Sequence, residues 1–217
     1  MKMSKTHAEL DPEHNLKKAG KIIAVLKTIK QLDKCSVLDI GTGSGVIASE
    51  LAKNSKSVTS IDIADDRLVK QGYEFYVVKN AKLLFDKEKF DVVVSNHVIE
   101  HLPKDEQTTH LEEIFKVLKK NGVCYMATPN KYWIIGKEQR NPEVNNLSYC
   151  EIVGLAKEFR IKNLTIDVIT NPKKFKLDMW KSIQFIGKII PKFILKKMNL
   201  IFPTYIVLLT KNKESMK

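Results

Sequence analysis

Val37-Leu38-Asp39-Ile40-Gly41-Thr42-Gly43-Ser44-Gly45 is an apolar run around one acid, broken by glycines at alternate positions. The run reads as a buried strand, and the residues from Val46 to Lys53 that follow have helical character. A strand that turns through glycines into a helix N-terminus brings backbone N–H groups up to a ligand with no Cβ in the way. The spacing narrows the ligand. A dinucleotide fingerprint places its third glycine where Val46 stands, whereas here it comes one residue earlier, as GxGxG. Valine at that point would crowd a pyrophosphate site, which argues against an NAD loop.

Twenty-one residues past Gly41, Asp62 lies near the end of a second short β-branched run, Ser57-Val58-Thr59-Ser60-Ile61-Asp62-Ile63. A carboxylate is acceptor-only and can take both hydroxyls of a ribose, so an acid at the tip of the second strand selects a nucleoside. A glycine turn alone reads equally as a tight strand-to-helix connection. Paired with Asp62 at this distance, it predicts a nucleoside-bearing cofactor.

The rest of the chain supplies the frame for such a site. The pattern predicts a helix from Pro12 to about Gln31, capped by Asp11, with Leu16, Ala19, Ile22, Ile23, Leu26 and Ile29 as its apolar stripe. It then predicts a strand over 35–40, a helix over 45–53, a strand over 57–62, a short helix over 65–71, and strands over 73–78 and 90–95. A helix over 105–120, a strand over 122–128, a helix over 148–158 and strands over 161–169 and 204–210 complete the series. Alternation of this kind implies one α/β domain: a doubly wound, mostly parallel seven-stranded sheet with helices on both faces and a helical insertion before the last strand. Ligands of such sheets sit beyond the strand C-termini, where Gly41, Asp62, Asn80 and Asn96 fall. The expected divisions are an N-terminal helix at 1–32, a cofactor-binding core at 33–170, a basic amphipathic insertion at 171–203 and a last strand at 204–210.

Composition sets limits on compartment and partners. The three cysteines, Cys35, Cys124 and Cys150, are odd in number, far apart and set in apolar segments, which fits buried thiols better than a disulfide or metal framework. No apolar run approaches the ~18 residues of a membrane span and no signal core opens the chain, so a reducing cytoplasm is expected. The net charge is +12, but only Arg67, Arg140 and Arg160 are arginines. Lysine without arginine is a poor signature of bidentate phosphate reading, which argues against nucleic acid as partner. The charge is also uneven: eight lysines against Asp178 alone give the stretch 171–203 a net charge of +7.

The motifs taken in order resemble a known family. VLDIGTGSG, then SIDI, then Phe90-Asp91-Val92-Val93-Val94-Ser95-Asn96, then Leu118-Lys119-Lys120-Asn121-Gly122-Val123 are similar to successive signatures of class I S-adenosylmethionine-dependent methyltransferases. Val98-Ile99-Glu100-His101-Leu102, Thr128-Pro129-Asn130 and the run Leu147-Ser148-Tyr149-Cys150-Glu151-Ile152 leading to Glu158-Phe159-Arg160-Ile161 resemble the small-molecule branch. That branch includes the ubiquinone-biosynthesis O-methyltransferases. The resemblance covers roughly 33–170 and returns at 204–210. It implies that the cofactor is S-adenosyl-L-methionine.

It also implies residue roles. Gly41, Thr42, Gly43 and Gly45 would wrap the amino-acid end of the cofactor, with Asp39 as the acid that orients the loop and meets the ammonium group. Asp62 would hold the ribose and Ile63 would pack on adenine. Asn80-Ala81 stands where the family has an Asp-Ala pair, and the Asn80 amide oxygen can still accept a hydrogen bond from adenine. Ser95, Asn96 and His97 would line the end of the fourth strand, beside the meeting point of sulfonium and acceptor. A hydroxyl or ammonium acceptor must lose a proton, and His97 is the candidate base. His101 remains open between a catalytic and a structural role. Some relatives bind a divalent ion with two glutamates and a histidine at the spacing of His97, Glu100 and His101; with His97 in place of the first glutamate, no metal is expected. Tyr132 and Trp133, in the aromatic loop after the fifth strand, and Tyr149, at the start of the next helix, are the substrate candidates, though Trp133 reads equally as a hydrophobic plug.

The insertion carries two compatible readings. Met179, Trp180, Ile183, Ile186 and Ile190 share one face opposite Lys181 and Lys188, and Pro191 interrupts the helix. One reading is a lid packed on the sheet. The other is an interfacial hairpin that sets Trp180, Phe185, Phe193 and Phe202 against lipid and its lysines against anionic headgroups, which would make the protein peripheral at a membrane. Three functions stay open at this stage. The first is methylation of a small-molecule or lipid-linked acceptor, at oxygen by preference. The second is methylation of RNA or protein, and the third is a non-catalytic protein of the same fold docking on membranes.

Overall fold

The computed structural model describes residues 12–79, 82–129, 151, 164–170 and 204–211. Seven strands form one sheet: β1 (Ser36–Ile40), β2 (Ser57–Asp62), β3 (Glu74–Val77), β4 (Phe90–Asn96), β5 (Leu118–Pro129), β6 (Leu164–Thr170) and β7 (Thr204–Lys211), in the order β3-β2-β1-β4-β5-β7-β6. The first five are mutually parallel, and β7 runs antiparallel to both β5 and β6. The strand order reverses between β1 and β4, which are parallel, and this opens the crevice beyond their C-terminal ends where ligands of doubly wound sheets bind.

The central strands are buried on both faces, which is why they read as continuous apolar runs and not as alternating ones. Val92, Val93 and Val94 of β4 are all completely buried. On one side of the sheet, Leu38, Ile40, Val93 and Met126 pack with Leu111 and Ile114 of α3 (Lys104–Val117). On the other, Val37, Val58, Val92 and Val94 pack with Ile22 and Leu26 of α1 (Pro12–Lys27) and with Ala48 and Leu51 of α2 (Val46–Ala52). Each fully buried aliphatic side chain contributes roughly 1.5–3 kcal/mol, so these two layers hold the sheet rigid behind its C-terminal edge.

Several boundaries differ from the sequence expectation. Helix α1 ends at Lys27, four residues early, and a 3₁₀ turn over Leu32–Lys34 leads into β1. Its buried stripe is Asn15, Ala19, Ile22, Ile23 and Leu26; Leu16, one position round from Asn15, is 49% exposed, and Ile29, beyond the helix, is 39% exposed. Helix α3 gives way to β5 at Leu118, where a helix was expected to run to 120. The pairing of β4 with β5 slips between Phe90 and Val92, so Lys119 to Gly122 bulge out, with Asn121 at φ 61°. The remaining strand ends shift by up to three residues.

The helix expected over 65–71 does not form. Residues 63–73 instead lie as an irregular strap against the glycine loop, because the Ser44 carbonyl takes the Leu68 and Val69 N–H groups, at 2.9 and 3.0 Å, that a helix would have needed. Arg67 fastens the strap, gripping both carboxylate oxygens of Asp65 and stacking 3.7 Å above the Phe75 ring centre. Asp11, the helix expected over 148–158 and the insertion 171–203 lie outside the described residues, apart from Glu151.

Candidate functional site

The chain leaves β1 at Ile40 and enters α2 through residues 41–45, held at the C-terminal edge of the sheet. Gly41 N–H and Thr42 N–H both donate to the Ile61 carbonyl, at 2.9 and 3.2 Å, which ties the loop to β2. The Thr42 hydroxyl turns inward, 2.6 Å from Ser60 Oγ and 3.0 Å from the Ile61 carbonyl. Gly41 has φ 79°, and a Cβ there would stand 2.5 Å from Cγ2 of Val98. The glycine is thus required twice, for its backbone angle and for contact with the segment after β4. Gly45, at φ 81°, is pressed just as closely by the Val69 carbonyl of the strap. Gly43 faces open space on the exposed side of the loop.

Two carboxylates flank the loop, in different states. Asp39 is 2% exposed; Ser60 Oγ donates to its Oδ2 at 2.7 Å. Loss of water around it is the main influence on its carboxyl, raising it from an ordinary 3.8 to about 6, against the lowering effect of the Ser60 bond and with a further push from the Asp62 charge. Asp62 closes β2 half-buried, with Oδ2 accepting from Gly43 N–H at 2.8 Å and Oδ1 from Ile63 N–H at 2.7 Å. Both oxygens are oriented by backbone, and each keeps capacity for a second donor. Ile63 beside it is 68% exposed.

The end of β4 forms the third wall. Ile40 pairs with Ser95, so the residues just beyond stand next to Gly41. Ser95 itself is completely buried, its hydroxyl 3.1 Å from His110 Nε2, so it turns toward α3. Burial pushes His110 down from 6.5 to about 4, and it is neutral at ordinary pH. Asn96 is half-buried at the strand end. His97 has φ 59°, a conformation that costs a residue with a Cβ roughly 1–2 kcal/mol. It is held there by its N–H bonding to the Ala127 carbonyl at 2.8 Å and by its ring, whose Nδ1 lies 2.9 Å from Glu100 Oε1. The His97 side chain is 30% exposed and that of Glu100 is 2% exposed. His101 ends the 3₁₀ turn Ile99–His101 and is exposed. No group of three or more His, Cys, Asp or Glu among the described residues is arranged to hold a metal ion.

Asp39, Gly41, Thr42, Gly43, Gly45, Asp62, Ile63, Ser95, Asn96 and His97 therefore come to one edge of the sheet. Asn80, Ala81, Tyr132, Trp133 and Tyr149 lie outside the described residues. Ser60 was missed by the sequence reading, although its position two before Asp62 in an alternating strand puts it on the same face as Asp39, its register partner. Asn15, whose amide donates to Ser44 Oγ at 3.1 Å, and His110 were missed too, and no local pattern marks either.

An open glycine backbone at Gly43, a half-buried carboxylate with capacity for further donors and a buried carboxylate thus stand together at the C-terminal edge of the sheet. A profile for a family described as "Methyltransferase domain" matches residues 5–168. The chain is 31% identical over 110 residues to a ubiquinone biosynthesis O-methyltransferase of Pelagibacter ubique, covering 47% of this chain and 45% of that protein. It is 30% identical over 120 residues to the human arsenite methyltransferase, covering 45% of this chain and 32% of that one. The chain thus spans less than half the length of either relative. Among solved structures, the Burkholderia thailandensis 1,6-didemethyltoxoflavin-N1-methyltransferase, with 1,6-didemethyltoxoflavin and S-adenosylhomocysteine bound, superposes with a TM-score of 0.60 at 15% identity, over 91% of this chain and 78% of that one.

Proposed function

Starting from the fact that the chain belongs to the methyltransferase domain family, whose cofactor is S-adenosylmethionine, we propose that it transfers the cofactor's methyl group to a hydroxyl of a small-molecule or lipid-linked acceptor. The observation that carries this reading is the position of His97, a half-exposed imidazole at the end of β4 whose neighbour Val98 is pressed against Gly41 of the glycine loop.

The residues at the sheet edge divide the work. Gly41, Gly43 and Gly45 hold the amino-acid end of the cofactor, with Thr42 anchoring the loop through its inward hydroxyl. Asp39 meets the ammonium group, and Asp62 accepts from the ribose hydroxyls. Ile63 offers its exposed side chain to adenine, and Asn80-Ala81 are assigned to adenine by their match to the family's Asp-Ala pair; Ser95 and Asn96 shape the wall beneath the methyl group. S-adenosylmethionine supplies a methyl on a sulfonium, and the electron pair of the broken C–S bond leaves with sulfur. The protein's part is alignment, exclusion of water and removal of the acceptor's proton, which passes to His97. Tyr132, Trp133 and Tyr149 are proposed to flank the acceptor.

The O-methyltransferase named above supports oxygen as the target. The arsenite and N1 methyltransferases are reminders that one fold serves several acceptor atoms, so the test must read the product. Calorimetric titration should give S-adenosylmethionine binding that Asp62→Ala weakens severely, since hydrogen bonds to a charged partner are worth roughly 1.5–3 kcal/mol each. A radiolabelled methyl-transfer screen on lipid, small-molecule, RNA and protein fractions should place the label in an oxygen ether of the first two. His97→Ala should lower turnover ~10²–10⁴-fold with little change in cofactor affinity. Label in RNA or protein would overturn the acceptor class, and binding of NAD in place of S-adenosylmethionine would overturn the cofactor.

A further inference from the structure

Glu100 has the most unusual environment of any acid in the described residues. It is 1% exposed, on the 3₁₀ turn that follows β4. Among the described residues no lysine or arginine pairs with it, the His97 ring is its one partner, and its second oxygen, Oε2, is buried without a hydrogen bond. A carboxylate is costly to bury and is retained where its partner needs it. The turn that carries it is fixed from below. Ile99 is completely buried, and the Gln107 amide donates to the Ile99 carbonyl at 3.1 Å. The backbone at His97 is fixed as well, in the left-handed region by its bond to Ala127. Two independently anchored points, three residues apart, therefore hold one imidazole.

We propose that Glu100 is the positioning residue of a His97–Glu100 dyad, which sets the tautomer of the ring and leaves Nε2 as its basic atom. An ionised carboxylate can only accept, so the 2.9 Å contact requires Nδ1 to carry the hydrogen. The neutral ring then presents a bare Nε2. This inference rests on the reading of His97 as the base. The acceptor's hydroxyl proton passes to Nε2 as its oxygen takes the methyl, the Nδ1 hydrogen stays in place, and the carboxylate balances the imidazolium until the proton leaves to water. Glu100 touches neither cofactor nor acceptor. A histidine three residues before a buried glutamate thus makes an acid–base pair at the turn that follows β4.

The test begins with a measurement that needs neither substrate nor variant. Nitrogen-15 NMR of the full chain with labelled histidine, at about pH 9, should show His97 protonated at Nδ1 and bare at Nε2. An Nε2–H tautomer would overturn the dyad, whatever the enzyme's activity. Glu100→Gln keeps the shape of the side chain and should remove this tautomer preference. It should lower turnover about 10²-fold or more while cofactor affinity stays within twofold. Glu100→Asp should recover part of the loss only if it also restores the tautomer. Unchanged turnover in folded Glu100→Gln, or an unchanged His97 spectrum, would overturn the proposal. The NMR result is independent of the methyl-transfer screen. A correct tautomer in a protein that binds no S-adenosylmethionine would defeat the function, whereas active enzyme with the wrong tautomer would defeat the dyad.

Discussion

Ser60 and Asp39 stand side by side on adjacent parallel strands, and the hydroxyl of one donates to the buried carboxylate of the other at 2.7 Å. One hydroxyl does not replace the lost water, so burial still dominates and lifts the carboxyl from 3.8 to about 6. Between those values the folded protein holds a proton that the unfolded chain lacks. The stability linked to Asp39 is therefore full below 3.8 and is lost as pH rises through about 6, by about 3 kcal/mol in all. Asp39→Asn should accordingly make the ligand-free protein more stable at pH 8 and leave it nearly unchanged at pH 4, read by urea unfolding. The same substitution should weaken S-adenosylmethionine binding if Asp39 meets the ammonium group. Wild-type affinity should then rise about tenfold from pH 5 to 7 as the carboxyl ionises, while Asp39→Asn shows no such rise. A flat wild-type profile would remove Asp39 from the ammonium site.

His110 works with the opposite sign. Burial against Ser95 holds it down near 4, so its contribution to stability is full above 6.5 and is lost as pH falls through about 4, again by about 3 kcal/mol. Between pH 4 and 6 the two groups oppose each other, and the wild-type stability should be nearly level there. Removing Asp39 leaves His110 alone, so Asp39→Asn should lose stability steeply toward pH 4. His110→Asn in that background should flatten the curve. Unfolding midpoints taken across the range check both signs at once.

The parts of this architecture visible in the chain are those where local chemistry and tertiary packing agree. Val92-Val93-Val94 can hardly be anything but a central strand, and the glycine run after Ile40 could be placed beside Asp62 from spacing alone. Two of the failures arise where a distant group claims the backbone. Residues 65–71 have acceptable helix formers, yet the Ser44 carbonyl, more than twenty residues away, takes the amides a helix would use. The bulge over 119–122 is set by pairing with β4 and by Asn121 in the left-handed region, which no propensity reveals. The site divides in the same way. Asp62 and His97 can be placed at strand ends from the sequence alone, whereas the partners of the neighbouring groups, Ser60 for Asp39 and Glu100 for the His97 ring, are recognised only once register and turn geometry are known.

Gly41 and Val98 offer a mechanical test of the link between the cofactor loop and the base. A Cβ at Gly41 meets Val98 Cγ2 at 2.5 Å and adopts φ 79°. Gly41→Ala should lower stability by about 1–2 kcal/mol for the backbone angle alone. It should also push the His97–Val98 segment outward, so turnover should fall further than cofactor affinity. Val98→Ala in the same chain makes room and should recover turnover while the backbone cost remains. Recovery of stability in place of turnover would mean that the contact serves packing only.

The insertion can be tested from where its ends are fixed. Thr170 closes β6 and Thr204 opens β7; Thr170 pairs with Tyr205, and Thr204 with Pro129 at the C-terminal end of β5. Both ends of 171–203 therefore leave the sheet at the same edge as Gly41, Asp62 and His97. No helix among the described residues is long and apolar enough to cross a membrane. With a charge of +7 and Trp180, Phe185, Phe193 and Phe202 in this stretch, binding to anionic vesicles at low salt is the expected outcome. Each lysine near the surface adds about 1 kcal/mol, so about five or six that face lipid suffice. Lys181, Lys188, Lys192 and Lys196 replaced together by glutamine should abolish sedimentation with vesicles and leave cofactor affinity unchanged. Because the insertion departs from the catalytic edge, the same variant should lose turnover on a vesicle-borne acceptor and keep it on a soluble analogue. Wild-type protein that stays in the supernatant at low salt would make the segment a lid, its lysines solvated, and would point to an acceptor that arrives through water.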